Sequence, residues 1–292
     1  MTVSKPKHIL IRLAYGNLCV GIVVLLLKYA AYYLTKSVAL YSDALESLGN
    51  IATAIVALLA IRVSVKPADK HHPFGYYKAE YFSAIFAGFF IIAAGIVILY
   101  RAIKTYIHPE PFNISFAGLA INILATLING VWAWVLIRYG KRYRSPAIIG
   151  DGQHLVVDVM TSVGVVVGLL LVCLTGYAKL DPLLAIIIAL NILYSGWKLI
   201  RESAEGLMDT APEQKEIDHI NAIITENLAA DSIHNLKIRC AGRAIFIEFH
   251  LVVPGQMTVK ASHEICDRIE SALKKAYGSA TISTIHVEPR RC

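Results

Sequence analysis

Six long apolar stretches fill the first two thirds of the chain, and they predict six membrane-spanning helices. They occupy residues 9–33, 38–64, 80–105, 115–138, 152–175 and 181–201. Each stretch reaches the length of about 20 residues that an α-helix needs to cross a bilayer. From residue 206 onward the pattern changes to the mixed composition of a soluble domain. We therefore predict a transmembrane domain at residues 1–205 and a soluble domain at residues 206–292.

The soluble part carries shorter periodic segments that predict the element order α-β-β-α-β. The strand segments alternate polar and apolar residues and flank a turn at Ala241-Gly242, which indicates a hairpin. Helices on one face of the resulting sheet would form an α+β sandwich. The predicted elements are a helix from a capping box at Thr210-Ala-Pro-Glu213 to about residue 229, strands at 233–240 and 243–253, a helix at 258–277 capped by Thr258, and a strand at 281–288.

Composition and charge support a membrane protein rather than a nucleic-acid-binding one. Charged residues make up only 17% of the chain and hydrophobic residues 56%. The net charge of +7 is concentrated on one side of the predicted membrane domain, which the positive-inside rule assigns to the cytoplasm. We therefore expect a multi-pass protein of the cytoplasmic membrane with both termini in the cytoplasm and no nucleic-acid partner. The basic residues on that side are Lys5, Lys7, Arg12, Arg62, Lys66, Lys70, Lys78, Arg138, Lys141, Arg142 and Arg144.

Two pairs of polar residues interrupt the apolar stretches. Glu46 and Asn50 lie in the second stretch, and His154 and Asp158 begin the fifth. The spacing of four residues places both members of each pair on one helix face. Ionisable groups at membrane depth cost at least about 2.5 kcal/mol each, and they persist where they face an ion, a cavity or a partner. Imidazole, carboxylate and amide oxygen are ligands of divalent metals, so the four residues predict a transport site.

A structural role is the alternative for these pairs. His154 and Asp158 could simply hydrogen-bond each other, and Asn50 could join two helices through its amide. Two such pairs on separate spans favour metal binding over that alternative. Asp43 and Asp151 each precede the first member of a pair by three residues. They could line an entrance vestibule, but we favour solvated charges at the starts of helices.

Histidines and a carboxylate recur in the soluble part. They alternate with apolar residues along the strands, which places them on the sheet face opposite the core. Borderline metals prefer imidazole and carboxylate ligands, so a second metal site is predicted here, against the alternative of a merely polar exposed face. The candidate ligands are His234, His250, His263, His286 and Glu288.

Several motifs in this order resemble those of the cation diffusion facilitator family. They are Ser42-Asp-Ala-Leu-Glu-Ser-Leu-Gly-Asn50, His72-Pro-Phe-Gly-Tyr-Tyr-Lys-Ala-Glu80, Ser145-Pro-Ala, His154-x-x-x-Asp158 and Gly206-Leu-Met-Asp209. The resemblance implies a homodimeric six-helix exporter of zinc or related divalent metals, coupled to protons, with a ferredoxin-like cytoplasmic domain. The same ions would be substrate and regulator, with zinc the first expectation and no other cofactor.

The resemblance also assigns residues, with some departures. The four membrane residues match the family's transport ligands, but Glu46 stands where His or Asp is usual and Asn50 where Asp is usual. Manganese, iron, cobalt, nickel and cadmium therefore stay open as substrates. A weaker site in the loop after the second span would use Asp69 and His72, with Tyr76 in place of the usual His, but we favour solvated histidines there. Lys78 and Asp209 match an ion pair between protomers.

We therefore predict a proton-coupled antiporter that exports divalent transition metals, and not an enzyme. The chain shows no nucleophile–base constellation, phosphate loop or cofactor fingerprint. A passive metal channel would need the same ligands without proton coupling. A membrane-anchored metal sensor would use only the soluble domain.

Overall fold

The computed structural model describes residues 5–35, 38–108, 116–175, 177, 179–228 and 232–290, apart from some side chains near the helix ends. Six long helices precede a small α+β domain, which confirms the predicted fold class. The helices are α1 (Lys5–Thr35), α2 (Val38–Ser64), α3 (Ala79–Ile107), α4 (Phe116–Arg142), α5 (Pro146–Thr175) and α6 (Leu180–Leu207).

Apolar length explains most of these helices as membrane spans. Among the described residues, α1, α2, α3, α4 and α6 are long and apolar enough to cross a bilayer. Helix α5 is 30 residues long, and part of its C-terminal half lies outside the described side chains. Most helices extend several residues beyond the predicted apolar stretches, because polar residues at the ends continue the helical backbone. Helix α5, for example, begins at Pro146 rather than near residue 152.

Helix α5 lies at the centre of the membrane domain. It packs against α1, α2, α3 and α4. One buried apolar cluster joins α5 to α1, α2 and α4 through residues such as Leu10, Ile61 and Leu136. A second cluster joins α5 to α3 and α6 and includes Val157 and Ile192. Any donor on the inner face of α5 is therefore enclosed by protein rather than by lipid.

Two glycines allow α3 and α6 to approach closely. A Cβ atom on Gly88 would lie 2.5 Å from a side-chain carbon of Ile200, and one on Gly196 would lie 3.1 Å from the carbonyl oxygen of Gly88. Small residues at such crossings are typical of membrane helix packing, in which close backbone contact replaces the hydrophobic effect.

The soluble domain contains α7 (Gln214–Glu226), β1 (Ile233–Ala241), β2 (Ala244–Val253), α8 (Val259–Tyr277) and β3 (Thr281–Pro289). The sheet order is β1-β2-β3, with β1 antiparallel and β3 parallel to β2. The predicted turn is confirmed, and Gly242 adopts a positive φ of 53° there. The core under the helices contains Ile220, Phe249, Leu251 and Ile269. The domain has the predicted α-β-β-α-β order, and the chain divides into two compact units between Ala204 and Glu205.

The two caps predicted in the soluble domain had different outcomes. The Thr258 hydroxyl accepts a hydrogen bond from the Ala261 N–H at 3.2 Å, which confirms that cap. The capping box at Thr210 was wrong, because α7 begins only at Gln214 and Glu213 caps it without a side-chain hydrogen bond. The Thr210 N–H instead donates to the Glu205 carbonyl at 3.2 Å, so this residue helps to end α6.

Candidate metal centres

The centre of the membrane domain brings α2 and α5 together at polar side chains. Asn50, His154 and Asp158 are buried, with only 5–6% of the surface of each residue exposed. The Asn50 amide nitrogen donates a hydrogen bond directly to the Asp158 carboxylate across the two helices. His154 lies one turn before Asp158 on the same helix. Three of the four predicted donors are therefore buried on helices that contact each other, and the fourth, Glu46, has a side chain outside the described part of the chain.

The donors are not all engaged with one another. Within the described residues, the Asn50 side-chain oxygen is buried and has no hydrogen-bond donor. The Thr53 and Thr161 hydroxyls donate to the backbone carbonyls of Asn50 and Asp158, at 3.0 and 2.9 Å, rather than to their side-chain oxygens. A buried amide oxygen without a donor costs about 1–3 kcal/mol, which a cation would recover.

Asp151 is buried, which corrects the prediction of a solvated charge. It is 2% exposed, and the Asn17 amide on α1 donates to one of its carboxylate oxygens at 2.7 Å. The Trp132 indole N–H on α4 donates to the Asn17 oxygen at 3.0 Å. The prediction failed because it treated the start of α5 as the membrane surface, whereas the helix begins five residues earlier. The side chain of Asp43 lies outside the described residues.

Glu80 is a second buried acid that the sequence reading left without a role. It is 1% exposed and accepts hydrogen bonds from the hydroxyls of Ser64, at 2.6 Å, and Ser145. Ser64 ends α2, Glu80 lies in the first turn of α3, and Ser145 immediately precedes α5. The cluster fixes the relative positions of three helix ends. The only signal for it in the sequence was an acidic residue immediately before an apolar stretch.

In the loop between α2 and α3, the Asp69 carboxylate is hydrogen-bonded by other residues of the same loop. The Tyr76 hydroxyl donates to Asp69 at 2.6 Å, and the backbone N–H groups of His72 and His71 donate to the other carboxylate oxygen at 2.8 and 2.9 Å. The Tyr76 hydrogen bond, followed by that of the His72 backbone, lowers the pKa of Asp69. The His72 ring packs on the Tyr76 ring with centroids 4.1 Å apart. The Tyr76 hydroxyl is thus hydrogen-bonded to the carboxylate that a metal ion would need as a ligand.

The exposed face of the soluble sheet collects imidazoles in one row. His234 pairs with His250 across β1 and β2, and His250 pairs with His286 across β2 and β3. Neighbouring ring centroids in this row are 4.9 and 4.8 Å apart. Because cross-strand neighbours on one face point the same way, three separate strands supply donors to one place.

A triad of donors forms around Glu288. Its carboxylate lies 3.0 Å from His234 Nε2 and 3.5 Å from His250 Nδ1. One ligand atom from each of the three residues lies within 4.8 Å of the others, a spacing that could hold a metal ion. A bulge at Asn235, with φ of 54°, breaks the register of β1 beside His234. Bulges re-aim side chains, and Asn tolerates this left-handed conformation better than most residues.

His263 and His286 do not belong to that triad. His286 is the exposed end of the row, and His263 lies on α8 with its Nε2 3.7 Å from Asp267. His263 and Glu288 line the same cleft of about 530 Å³. Cys266, also on that cleft, is part of the hydrophobic core, and burial raises the pKa of its thiol.

Asp209 is paired within the soluble domain. Its carboxylate accepts a hydrogen bond from Arg239 at 3.1 Å, and that guanidinium lies 4.4 Å above the Phe246 ring. Asp209 itself has a left-handed φ of 61° just after α6. Lys78 occupies the N-cap position of α3. A pairing of Lys78 with Asp209 of another protomer stays a prediction.

Comparisons with known proteins cover nearly the whole chain. The family description "Cation efflux transmembrane domain" matches residues 17–208, and "Cation efflux protein, cytoplasmic domain" matches residues 212–290. An uncharacterized transporter of Synechocystis, sll1263, is 43% identical over 90% of this chain and 85% of its own length. A cadmium, cobalt and zinc/H(+)-K(+) antiporter of Bacillus velezensis is 32% identical over 82% of this chain and 77% of its own length. The cation-efflux pump FieF of Salmonella paratyphi A is 28% identical over 95% and 92%.

These matches agree with the architecture. The first begins within α1 and continues past the end of α6, and the second covers most of the α+β domain. The protein is a multi-pass integral membrane protein whose C-terminal domain matches the cytoplasmic domain of cation-efflux proteins. The chain therefore belongs to the cation diffusion facilitator family of divalent-cation transporters.

Proposed function

We propose that this protein is a homodimer that exports divalent transition metals from the cytoplasm in exchange for protons. The observation that carries the proposal is the direct contact between Asn50 on α2 and Asp158 on α5. It places two of the predicted donors at one point in the membrane domain, with His154 one turn away. The relative from Bacillus velezensis, a cadmium, cobalt and zinc/H(+)-K(+) antiporter, supports this ion class and coupling.

The donor set explains both metal binding and proton exchange. Glu46 and Asp158 would supply two negative charges to a divalent ion, and His154 a nitrogen ligand. An imidazole binds metal only when it is unprotonated, so protons and metal compete for it near neutral pH. Asn50 would turn its amide so that the oxygen faces the ion. That turn sacrifices only the hydrogen bond to Asp158 among the contacts described for its side chain.

Zinc is the first candidate substrate, with manganese, iron, cobalt, nickel and cadmium as alternatives. Tetrahedral coordination by one nitrogen and three oxygens is acceptable to zinc. An amide oxygen in place of a carboxylate lowers the negative charge of the site and weakens its hold on every divalent ion. Selectivity then depends on geometry and on which metals the cell makes available.

The orientation follows from the basic residues. We place the protein in the cytoplasmic membrane with both termini and the soluble domain inside, because the loops α2–α3 and α4–α5 carry most of the loop Lys and Arg residues. Metal would enter from the side of the soluble domain and leave on the opposite side. Rocking of helices around the central site would supply the alternation of access.

The soluble domain would regulate this transport. The triad of His234, His250 and Glu288 is the best candidate for a regulatory metal, with His286 and His263 as further donors. Metal bound there would favour one arrangement of two soluble domains in the dimer and thereby bias the transport equilibrium. The cytoplasmic domain match supports dimerisation through this region.

Transport by the purified protein in liposomes tests the proposal. With a proton gradient directed against metal movement, the wild type should move zinc, and His154→Ala should abolish that flux. Flux that is indifferent to the pH gradient would favour a passive channel. Metal binding by the soluble domain without any flux would favour a membrane-anchored sensor, and undiminished transport by His154→Ala would remove the assigned site.

A further inference from the structure

Asp151 is a buried ionisable group in the membrane domain that the proposed transport site does not use. It lies three residues before His154 on α5, about 4.5 Å along the helix axis. With 2% of its surface exposed, it is as deeply enclosed as the donors themselves. A carboxylate at that depth needs a partner that offsets the cost of its burial.

The partners that the structure gives Asp151 are incomplete. The Asn17 amide donates to one carboxylate oxygen at 2.7 Å. Within the described residues, the other oxygen is buried and has no donor. A neutral amide compensates a carboxylate only in part, because it brings no positive charge. The second Asp151 carboxylate oxygen is therefore available to accept from, or coordinate, another group.

The orientation of that acceptor is set from two neighbouring helices. The Trp132 indole N–H on α4 donates to the Asn17 oxygen at 3.0 Å, so the amide must present its NH₂ group to Asp151. The chain of contacts Trp132–Asn17–Asp151 thus holds one carboxylate oxygen and leaves the second, buried oxygen without a donor among the described residues. A purely structural role would be expected to satisfy both oxygens, as Glu80 is satisfied by two hydroxyls.

We propose that Asp151 is a staging ligand, which holds the divalent cation one helical turn before the four-donor site. This inference rests on the proposed function, since it requires that metal moves through the α2–α5 centre. In the proposed orientation the start of α5 faces the cytoplasm, so Asp151 meets the ion before His154 does. Its negative charge would capture the partly dehydrated ion, and transfer to the more numerous donors beyond would follow.

Zinc uptake by the full-length protein in liposomes tests this role through the split between KM and maximal rate. Asp151→Asn keeps the shape and can still accept from Asn17, but it removes the charge. We expect its KM for zinc to rise about tenfold with the maximal rate within about twofold, the pattern of lost capture rather than lost turnover. Asp151→Glu keeps the charge and should recover most of the wild-type KM.

Trp132→Phe is the matched variant that leaves Asp151 in place. It frees the Asn17 amide to turn, so we expect a smaller rise in KM, about threefold, at an unchanged maximal rate. Because Phe retains the aromatic packing, this variant also keeps the test open if Asp151→Asn fails to fold.

Two results would overturn the inference. One is an unchanged KM in Asp151→Asn, and if that variant also loses the response to the proton gradient, the carboxyl is assigned to a proton instead. The other is equal impairment of Asp151→Asn and Asp151→Glu, which would make shape rather than charge the cause. Wild type and His154→Ala are measured in parallel, because failure of the wild type to transport would reject the proposed function itself.

Discussion

The two candidate metal centres are built from similar side chains in opposite environments. In the membrane domain, Asn50, His154 and Asp158 are 5–6% exposed and come from two packed helices. In the soluble domain, His234 and Glu288 have side chains 51% and 28% exposed and come from the open face of a sheet. Buried donors lose their hydration permanently, whereas exposed donors recover it whenever the ion leaves.

This difference implies different tasks. A site with few water contacts depends strongly on each charge, because the local dielectric is low. On an exposed sheet the ligands compete with water for the ion, so the affinity depends on the distances between the ligands rather than on their burial. Such a site suits a sensor that must release its ion as the metal concentration falls.

Asp158→Asn should have the largest effect. It removes a negative charge from the buried centre but preserves an oxygen that can accept from Asn50. We expect zinc flux to fall by at least about 100-fold, since loss of even a supporting group at a metal site costs about 10–100-fold. Radioactive zinc uptake into liposomes measures the change. Asp267→Asn makes the same substitution at a side chain that is 64% exposed and should transport normally. Equal flux in both variants would mean that the buried centre does not bind the substrate.

Glu288→Gln should have an intermediate effect that is confined to the soluble domain. Glu288 contacts both imidazoles of the triad, so its loss should weaken regulatory zinc binding by about tenfold and leave flux at saturating zinc intact. Calorimetry on the full chain in the His154→Ala background isolates this site. His286→Ala, at the exposed end of the row, should cost less than Glu288→Gln. The reverse order would move the regulatory site toward β3.

The spans and the sheet were predictable from the sequence because each rests on a period that many residues repeat. Six apolar stretches and two alternating strands carry that information redundantly. The failure of the cap predicted at Thr210 could not be foreseen from the sequence, because the Thr210 N–H donates to the end of α6. The burial of Asp151 depends on Asn17 and Trp132, which are distant in sequence and join only through packing. Single contacts between distant positions leave no local pattern.

The candidate sites divide in the same way. The spacing of His154 and Asp158 predicts a shared helix face, but only the fold shows that Asn50 meets Asp158. The strand alternation predicts that His250 and His286 share a face. It does not predict the bulge at Asn235 that accompanies the approach of His234 to Glu288. Register and bulges depend on neighbouring strands, so they follow from the folded sheet.

Asn50→Asp should change selectivity more than rate. A third carboxylate, beside those of Glu46 and Asp158, adds negative charge to the proposed site, which favours every divalent ion but hard oxygen-seeking ions most. We expect the ratio of manganese to zinc uptake to rise by about threefold or more, since one ligand of several is exchanged. Uptake of zinc, manganese, iron, cobalt, nickel and cadmium by wild type and variant gives the profile. If the two profiles coincide, Asn50 does not contact the ion.

Tyr76→Phe should have the smallest effect, and it separates the exposed loop from both metal centres. The Tyr76 hydroxyl is the main cause of the lowered pKa of Asp69, so its removal should raise that pKa toward the ordinary value of 3.8. Thermodynamic linkage gives the direction in which stability changes with pH. The folded loop favours the ionised carboxylate, so its contribution to stability is present above the unfolded pKa and is lost as pH falls through the lower folded value. The pKa is measured by carboxyl-carbon NMR of the aspartate-labelled protein. The Asp69 signal is the one that disappears from the spectrum of Asp69→Asn. Because both residues lie in the loop outside the buried centre, transport should stay unchanged, and a transport defect in Tyr76→Phe would instead give this loop a part in metal movement.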